Sequence, residues 1–255
     1  MANLGVQMFT LRKFTQSEAE LAITLNKVRD IGYQSIQVSA FGPIPADRVQ
    51  QLCEEADLDI AATHVSWDRF RYDLNNVIAE HMLWDCKHTA VGMIPPEVYL
   101  SAQGLKQFLF EVAPVIQELK AAGISFSYHH HHHEFQRFND QTWLQNLMDN
   151  AQAINLNLEL DTHWIVAGGA DPVQWINKVG HSMPLLHLKD FCLDSDNKRR
   201  FAAIGQGNLN WEDILVAAAK HPIAYYLIEQ DNCYGQDPFA CLASSYRFLS
   251  RFGLS

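Results

Sequence analysis

The chain has 255 residues, 48% of them hydrophobic and 19% charged, with a formal net charge of −10. This is the balance of a globular chain that buries one large core or two small ones, and it excludes a disordered one. The acidic sum disfavours a nucleic-acid surface, and no run of about 18 apolar residues offers a membrane span.

In chain order, strands are expected at 4–10, 35–40, 58–65, 88–94, 124–129, 156–161, 184–190 and 224–230, with helical patterns between them. Thr15 and Glu18 read as a capping box for the first helix. Ser101 opens a long helix that closes at Gly123, with Pro114 as a kink. Asp171-Pro172 and Asp237-Pro238 each read as an N-cap followed by proline at the first helical position, and Asn210 caps the helix that begins at Trp211. The one dense basic run, 197–200, reads as a solvated loop in preference to a phosphate site. Five widely spaced cysteines (Cys53, Cys86, Cys192, Cys233, Cys241) with no CxxC pair read as reduced thiols. The N-terminus lacks a signal-peptide pattern, so a cytoplasmic location is expected by default.

Eight strand–helix units in 255 residues give about 32 residues each, the size of a βα repeat in an eightfold barrel. The competitor, a doubly wound sheet, more often carries a glycine-rich loop after an early strand, and "QMFTLRKF" has no glycine. The expectation is therefore an α/β chain forming a single (β/α)8 TIM barrel over residues 1–255.

Active sites of such barrels gather at the C-terminal ends of the strands. The polar residues there are His64, His129, His131, Asp161, His187, Lys189, Asp190, Glu229 and Asp231. Each has a bland reading as a loop residue, a helix cap or a surface carboxylate. Together they could bring imidazole and carboxylate ligands to one divalent cation, a donor set suited to Mn, Fe, Co, Ni or Zn and, with more carboxylate, Mg. Five consecutive histidines, His129 to His133, sit at the end of the fifth strand. Mid-chain placement argues against a tag. Strand alternation lets at most His129, His131 and His133 share one face.

At these residues the chain resembles the xylose-isomerase-like TIM-barrel superfamily, which takes in sugar phosphate isomerases/epimerases and the AP-endonuclease-2 family. The resemblance covers essentially the whole chain. It rests on the order and spacing of "GVQMFTLR" (5–12), "GYQSIQVSAFG" (32–42), "YHHHHHEF" (128–135), "LELDTHWIVAGGADPVQWI" (158–176), "LLHLKD" (185–190), "IGQGNLNW" (204–211) and "LIEQD" (227–231). Many members carry Tyr-His-Asn-His-x-x-Glu-Phe at the end of the fifth strand. "YHHHHHEF" fits that frame, with His130 in place of asparagine and His132 and His133 at variable positions.

The resemblance implies one divalent metal ion (Mn, Zn, Co, Fe, Ni or Mg) held by His129, Asp161, His187 and Glu229. It implies an isomerase or epimerase that works on a keto-sugar, or its phosphate, through an enediolate. Glu229 is then the candidate base, with His131 or Lys189 as the partner acid and His64 on a substrate hydroxyl. Trp164 and Phe9 would form aromatic walls, and Glu134, Gln206 and Gln37 would be substrate contacts. Asp190 would orient Lys189 or the helix that follows it.

Of three departures, one is Gln37, which stands where glutamate is frequent on the second strand; the other two matter more. Ketose epimerases of the family carry glutamate where His129 stands, and glutamate is common where Gln206 stands. Losing one glutamate makes a dehydratase or lyase acting on a keto-sugar or keto-inositol the alternative. Phosphodiester cleavage at abasic DNA needs a larger metal cluster, has a ligand where Trp164 stands, and is opposed by the acidic charge. Metal buffering by the histidine run is a non-catalytic alternative. The expected partner is a small carbohydrate, with no nucleic acid or membrane, and the oligomeric state is open between monomer and homodimer.

Overall fold

A computed structural model describes residues 3–138 and 140–255. Among these, eight parallel strands close into a barrel: β1 (Asn3–Gln7), β2 (Ser35–Val38), β3 (Asp59–Val65), β4 (His88–Val91), β5 (Ser125–His129), β6 (Asn157–Asp161), β7 (Leu185–Leu188) and β8 (Tyr225–Ile228). Each pairs with its neighbours in sequence, and β1 closes the ring on β8 through Asn3↔Tyr225 to Val6↔Ile228. All eight strands lie where the sequence places them. β1 is shorter than expected because Met8–Phe14 turns into a 3-10 helix, begun when the Gln7 side chain accepts the Phe9 N–H at 3.1 Å.

Side chains in a strand alternate between faces, so each strand has one inward row. In β7 that row runs Leu185, His187, Lys189, and in β8 it runs Leu227, Glu229, Asp231. Leu185 and Leu227 pack with Ala62 as a small apolar plug inside the barrel. Above the plug the inward rows turn polar. The outward rows and the helices form the main core, with Leu4, Val6, Ile36, Phe126, Leu158, Leu186 and Ile228 all buried.

The helix ends follow capping chemistry. Ser101, Asp171, Asn210 and Asp237 cap the helices that begin after them. The first helix, Glu18–Ile31, is capped differently from expectation. Ser17 accepts the Glu20 N–H and donates to the Glu20 carboxylate at 2.9 Å, so the box is Ser17/Glu20 and Thr15 faces inward. The helix Ala102–Ala121 runs unbroken through Pro114.

After β7 the chain makes an antiparallel hairpin, Asp190–Leu193 with Arg199–Ala202. The loop that follows is tied down by Asp190, which is fully buried. Its carboxylate accepts from the backbone N–H of Phe191 (2.8 Å), Gly205 (3.0 Å), Gly207 (3.1 Å) and Leu209 (3.3 Å), and from Trp211 Nε1 (2.7 Å). This is the physical content of "GQGNLNW": a Cβ on Gly207 would lie 2.2 Å from Asp190 Oδ1.

Two stability predictions follow from these contacts. Asp190→Ala strands five donors around a buried hollow. At about 1–3 kcal/mol for each buried unsatisfied group, even partial rescue by water leaves a loss of at least about 3 kcal/mol, read from urea denaturation. The second concerns His81, whose Nε2 meets Thr63 Oγ1 at 2.8 Å and whose Nδ1 meets the Val77 carbonyl at 2.7 Å. Burial lowers its pKa, so it folds neutral. Below about pH 6.5 the unfolded chain binds a proton that the folded chain refuses, and stability falls with pH. His81→Gln should lose less stability than the native chain between pH 7 and pH 5 in chemical denaturation.

Candidate metal centre and active cavity

The C-terminal mouth of the barrel opens into a cavity of about 540 Å³. His64, His129, His131, Trp164, Lys189, Glu229 and Asp231 are on its wall, with Phe9 at the rim. Its floor is a layered charge network.

The lower layer centres on Glu159, the inward residue of β6 two places before Asp161. Glu159 is fully buried. One carboxylate oxygen lies 2.5 Å from His64 Nε2 and 3.3 Å from His129 Nδ1, and the other accepts from Gln37 Nε2 at 2.8 Å and lies 3.2 Å from His187 Nε2. Gln7 extends the network, donating to Gln37 Oε1 at 2.9 Å. Burial alone would raise the Glu159 carboxyl, but His187 and His64 hold it well below the usual range. Although burial opposes it, Glu159 and Glu229 raise the His187 imidazole to about 10.

The upper layer holds Asp161, Glu229, Asp231 and Lys189. Lys189 Nζ lies 3.0 Å from Glu229, 2.7 Å from Asp231 and 3.6 Å from Asp161. The ammonium also sits 4.9 Å from the centre of the Trp164 ring, a cation–π contact. The three carboxylates raise the Lys189 pKa in spite of burial, so it stays charged. Burial would raise Glu229 too, yet Lys189 and His187 bring it well below its ordinary value. Burial and the charge of Glu229 push Asp231 up to about 7. Burial lifts Asp161 to about 6 against the pull of Lys189.

Three ligand sets could hold a cation: His131, His133 and Glu134 on the histidine loop, and two larger sets on the barrel floor. The donor atoms of His129, Asp161, His187 and Glu229 lie within 4.8 Å of one another, and so do those of His64, His129, Glu159 and His187. In the lower set Glu159 is already hydrogen-bonded to His64 and Gln37. In the upper set Asp161 Oδ2 and His129 Nδ1 are buried without a hydrogen-bond partner among the described residues. His187 turns Nε2 down to Gln37 Oε1 at 2.8 Å, which leaves Nδ1 facing Glu229 at 3.1 Å. The residues therefore fit a divalent ion in the upper set, with two imidazoles and two carboxylates as donors and Glu159 and Gln37 orienting His187 from behind.

The histidine run has divided roles. His129 ends β5 on the floor. His130 is fully buried. Its Nε2 accepts the Asp161 N–H at 3.1 Å and its Nδ1–H donates to the His131 carbonyl at 3.0 Å, with burial lowering its pKa to about 4. It is thus a neutral brace between β5 and β6. His131, His132 and His133 line the cavity.

Several expected substrate contacts lie elsewhere. Glu134 is buried and holds the histidine loop, accepting from Tyr128 Oη at 2.7 Å and from the His131 N–H at 2.8 Å. Gln206 is exposed, bonds Ser244 at 2.8 Å and is off the cavity wall, because Asp190 draws its loop away. Gln37 is fully buried in the Glu159 network. His64 is on the wall, but both its nitrogens are engaged, Nε2 by Glu159 and Nδ1 by Gln7 at 3.1 Å. Glu159 was missed from sequence. The signal available was "LELD", where the two-residue spacing puts Glu159 and Asp161 on one face.

Comparison with known proteins agrees with this architecture. A sugar phosphate isomerase/epimerase from Parabacteroides distasonis ATCC 8503 superposes with a TM-score of 0.82 at 22% identity, over 98% of both chains. An L-ribulose 3-epimerase superposes at 0.74 with 20% identity, over 100% of this chain and 95% of that one. The probable 3-DHS dehydratase AsbF from Bacillus anthracis superposes at 0.69 with 12% identity, over 97% and 98%. At these identities the likeness is one of fold. None of the curated protein sequences matches this chain significantly. The family model for the xylose isomerase-like TIM barrel matches residues 25–232, and the chain belongs to that family.

Proposed function

We propose that the protein is a divalent-metal-dependent isomerase or epimerase of a keto-sugar, acting through an enediolate. The observation that carries the reading is the convergence of His129, Asp161, His187 and Glu229 under a cavity of sugar size, with Asp161 Oδ2 buried and without a hydrogen bond among the described residues. A divalent ion held there supplies Lewis acidity toward adjacent carbonyl and hydroxyl oxygens and so acidifies the neighbouring C–H.

The chain supplies the rest. Glu229, on the cavity wall, is the candidate base. Asp231, next along the same inward row, is a second carboxylate able to carry a proton near neutral pH. Burial and His129 hold His131 well below its ordinary pKa, so it enters as a neutral imidazole with one nitrogen to donate and one to accept. Lys189 holds its proton too firmly to act as an acid. Its fixed charge instead favours negative charge developing on the substrate oxygens. Trp164 and Phe9 offer apolar faces to the C–H side of a sugar.

A second reading, elimination of a β-hydroxyl from the same enediolate, is supported by His129 standing where ketose epimerases carry glutamate. The fold neighbour described as a probable dehydratase is in keeping with it.

The metal is tested on untagged protein purified without a nickel column. About one divalent ion per chain is expected by elemental analysis, lost in Asp161→Ala/Glu229→Ala and kept in His132→Ala/His133→Ala. Calorimetry at pH 7.5 in buffers of different ionisation enthalpy should register about one proton released per ion, the one displaced from His187. No uptake at all would defeat the proposal, and about three zinc ions per chain would favour the endonuclease chemistry.

The reaction is tested by incubating keto-sugars in D2O with the reconstituted protein. Solvent deuterium should enter beside the carbonyl, with Glu229→Gln slowing it about 100-fold or more. A new stereoisomer marks epimerisation, and a dehydrated enone marks elimination.

A further inference from the structure

We infer that the flank of the cavity formed by His132, His163, Trp164 and Arg199 is a subsite for an anionic group of the substrate, a phosphate or a carboxylate. The identity of the remaining substrate rests on the keto-sugar reading above. The anion rests on geometry of its own.

A side pocket of about 180 Å³, one third the volume of the main cavity, opens beside it and shares His132 and Trp164 with it. No acidic residue lines this pocket; its wall is His132, His163, Trp164, Ala167, Arg199 and Phe201. The hairpin after β7 explains why Arg199 is there. Strand alternation puts Arg199 and Phe201 on one face, and the Phe201 ring lies 4.8 Å from that of His163. Arg200 takes the opposite face, paired with Asp194 at 2.8 Å and lying over Tyr234. Arg199 has no ion pair or side-chain hydrogen bond among the described residues. So the basic run at 197–200 divides its work: Arg200 pins the turn, and Arg199 is left for something else.

Beneath it, His163 is 5% exposed, and among the described residues neither its buried Nδ1 nor the buried indole Nε1 of Trp164 has a hydrogen-bond partner. Buried polar groups are seldom left so, and an acceptor in the pocket would satisfy the indole N–H and an N–H of His163. Lys189 and Arg199 both make the potential positive at His163. The two adjoining spaces therefore differ, the main cavity acidic at Glu229 and Asp231 and the side pocket basic at Arg199. A substrate with its hydroxy-ketone at the first end and an anionic group at the second would enter in one orientation. Arginine is suited to such a group because its planar fork matches phosphate and carboxylate.

The test uses the full-length protein and two sets of probes. Inorganic phosphate and acetate are titrated against the histidine ring resonances, with His163 assigned through His163→Phe. Fructose, fructose 6-phosphate and fructuronate are titrated by calorimetry against the native protein and Arg199→Leu, a surface change that spares the fold. At least one small anion should shift His163 saturably. The charged sugars should bind about ten-fold or more tighter than fructose, with the preference lost in Arg199→Leu and fructose binding unchanged. The larger gain, for phosphate or for carboxylate, identifies the group. Anions that leave His163 unmoved, or charged and neutral sugars bound alike, would overturn the subsite and leave the keto-sugar reading standing. Small anions bound at His163 with no keto-sugar bound would keep the subsite and overturn that reading.

Discussion

One buried carboxylate organises the site. Glu159 is fully enclosed on the barrel axis, where an unpaired charge would cost several kcal/mol. It is tolerated because Gln37 from β2, His64 from β3, His129 from β5 and His187 from β7 all reach it. Only a closed barrel lets β2 and β6 point at the same spot, so the network and the closure support each other. The imidazoles crowd together, with His129 and His187 centred 4.6 Å apart and His64 and His187 5.3 Å apart. Without a central anion they could not share any positive charge. With it, His187 is oriented with Nε2 down and Nδ1 up.

That orientation sets the chemistry above. His187, Asp161 and Glu229 face one point, and Lys189 holds Glu229 and Asp231 from the other side. The acids on the wall are thereby made unequal. Glu229 stays ionised, while Asp231, pushed up by burial and by Glu229, can hold a proton near neutrality. Pairs of carboxyl groups with separated affinities are what proton transfer in both directions requires.

The barrel was legible because it is written locally: eight apolar runs at even spacing, with caps and prolines between them. The strand-end residues were legible because the two-residue period of a strand, once a barrel is assumed, predicts which side chains enter its mouth. What could not be read was the difference between a residue on the wall and a residue used up behind it. Glu134 and Gln206 lie in matching motifs, yet one holds the histidine loop and the other follows Asp190 away from the cavity. His130 looked like part of a repeat, but its worth comes from the Asp161 N–H, 31 positions on. Glu159 was passed over because a charged residue inside a strand is ordinarily solvent-facing, and only the ring of partners from four other strands makes it an interior one.

In the enediolate reading proposed above, the histidine at 129 bears on which reaction follows. Replacing a glutamate ligand by imidazole removes one negative charge from the donor set and one carboxylate that could return a proton. Elimination needs only one proton removed, with an acid beside the departing oxygen. Epimerisation needs a second group able to donate to carbon. The loss at position 129 would favour elimination if Glu229 stood alone. It does not: Asp231 follows it on the same inward row, lines the same cavity and is within 2.7 Å of Lys189. In that reading the Asp231 carboxyl, pushed up to about 7 by burial and Glu229, would return from β8 the proton that a glutamate at position 129 would return from β5. This is why the isomerase or epimerase reading keeps precedence, and why Asp231, more than His129, is the residue on which the choice between the two outcomes turns.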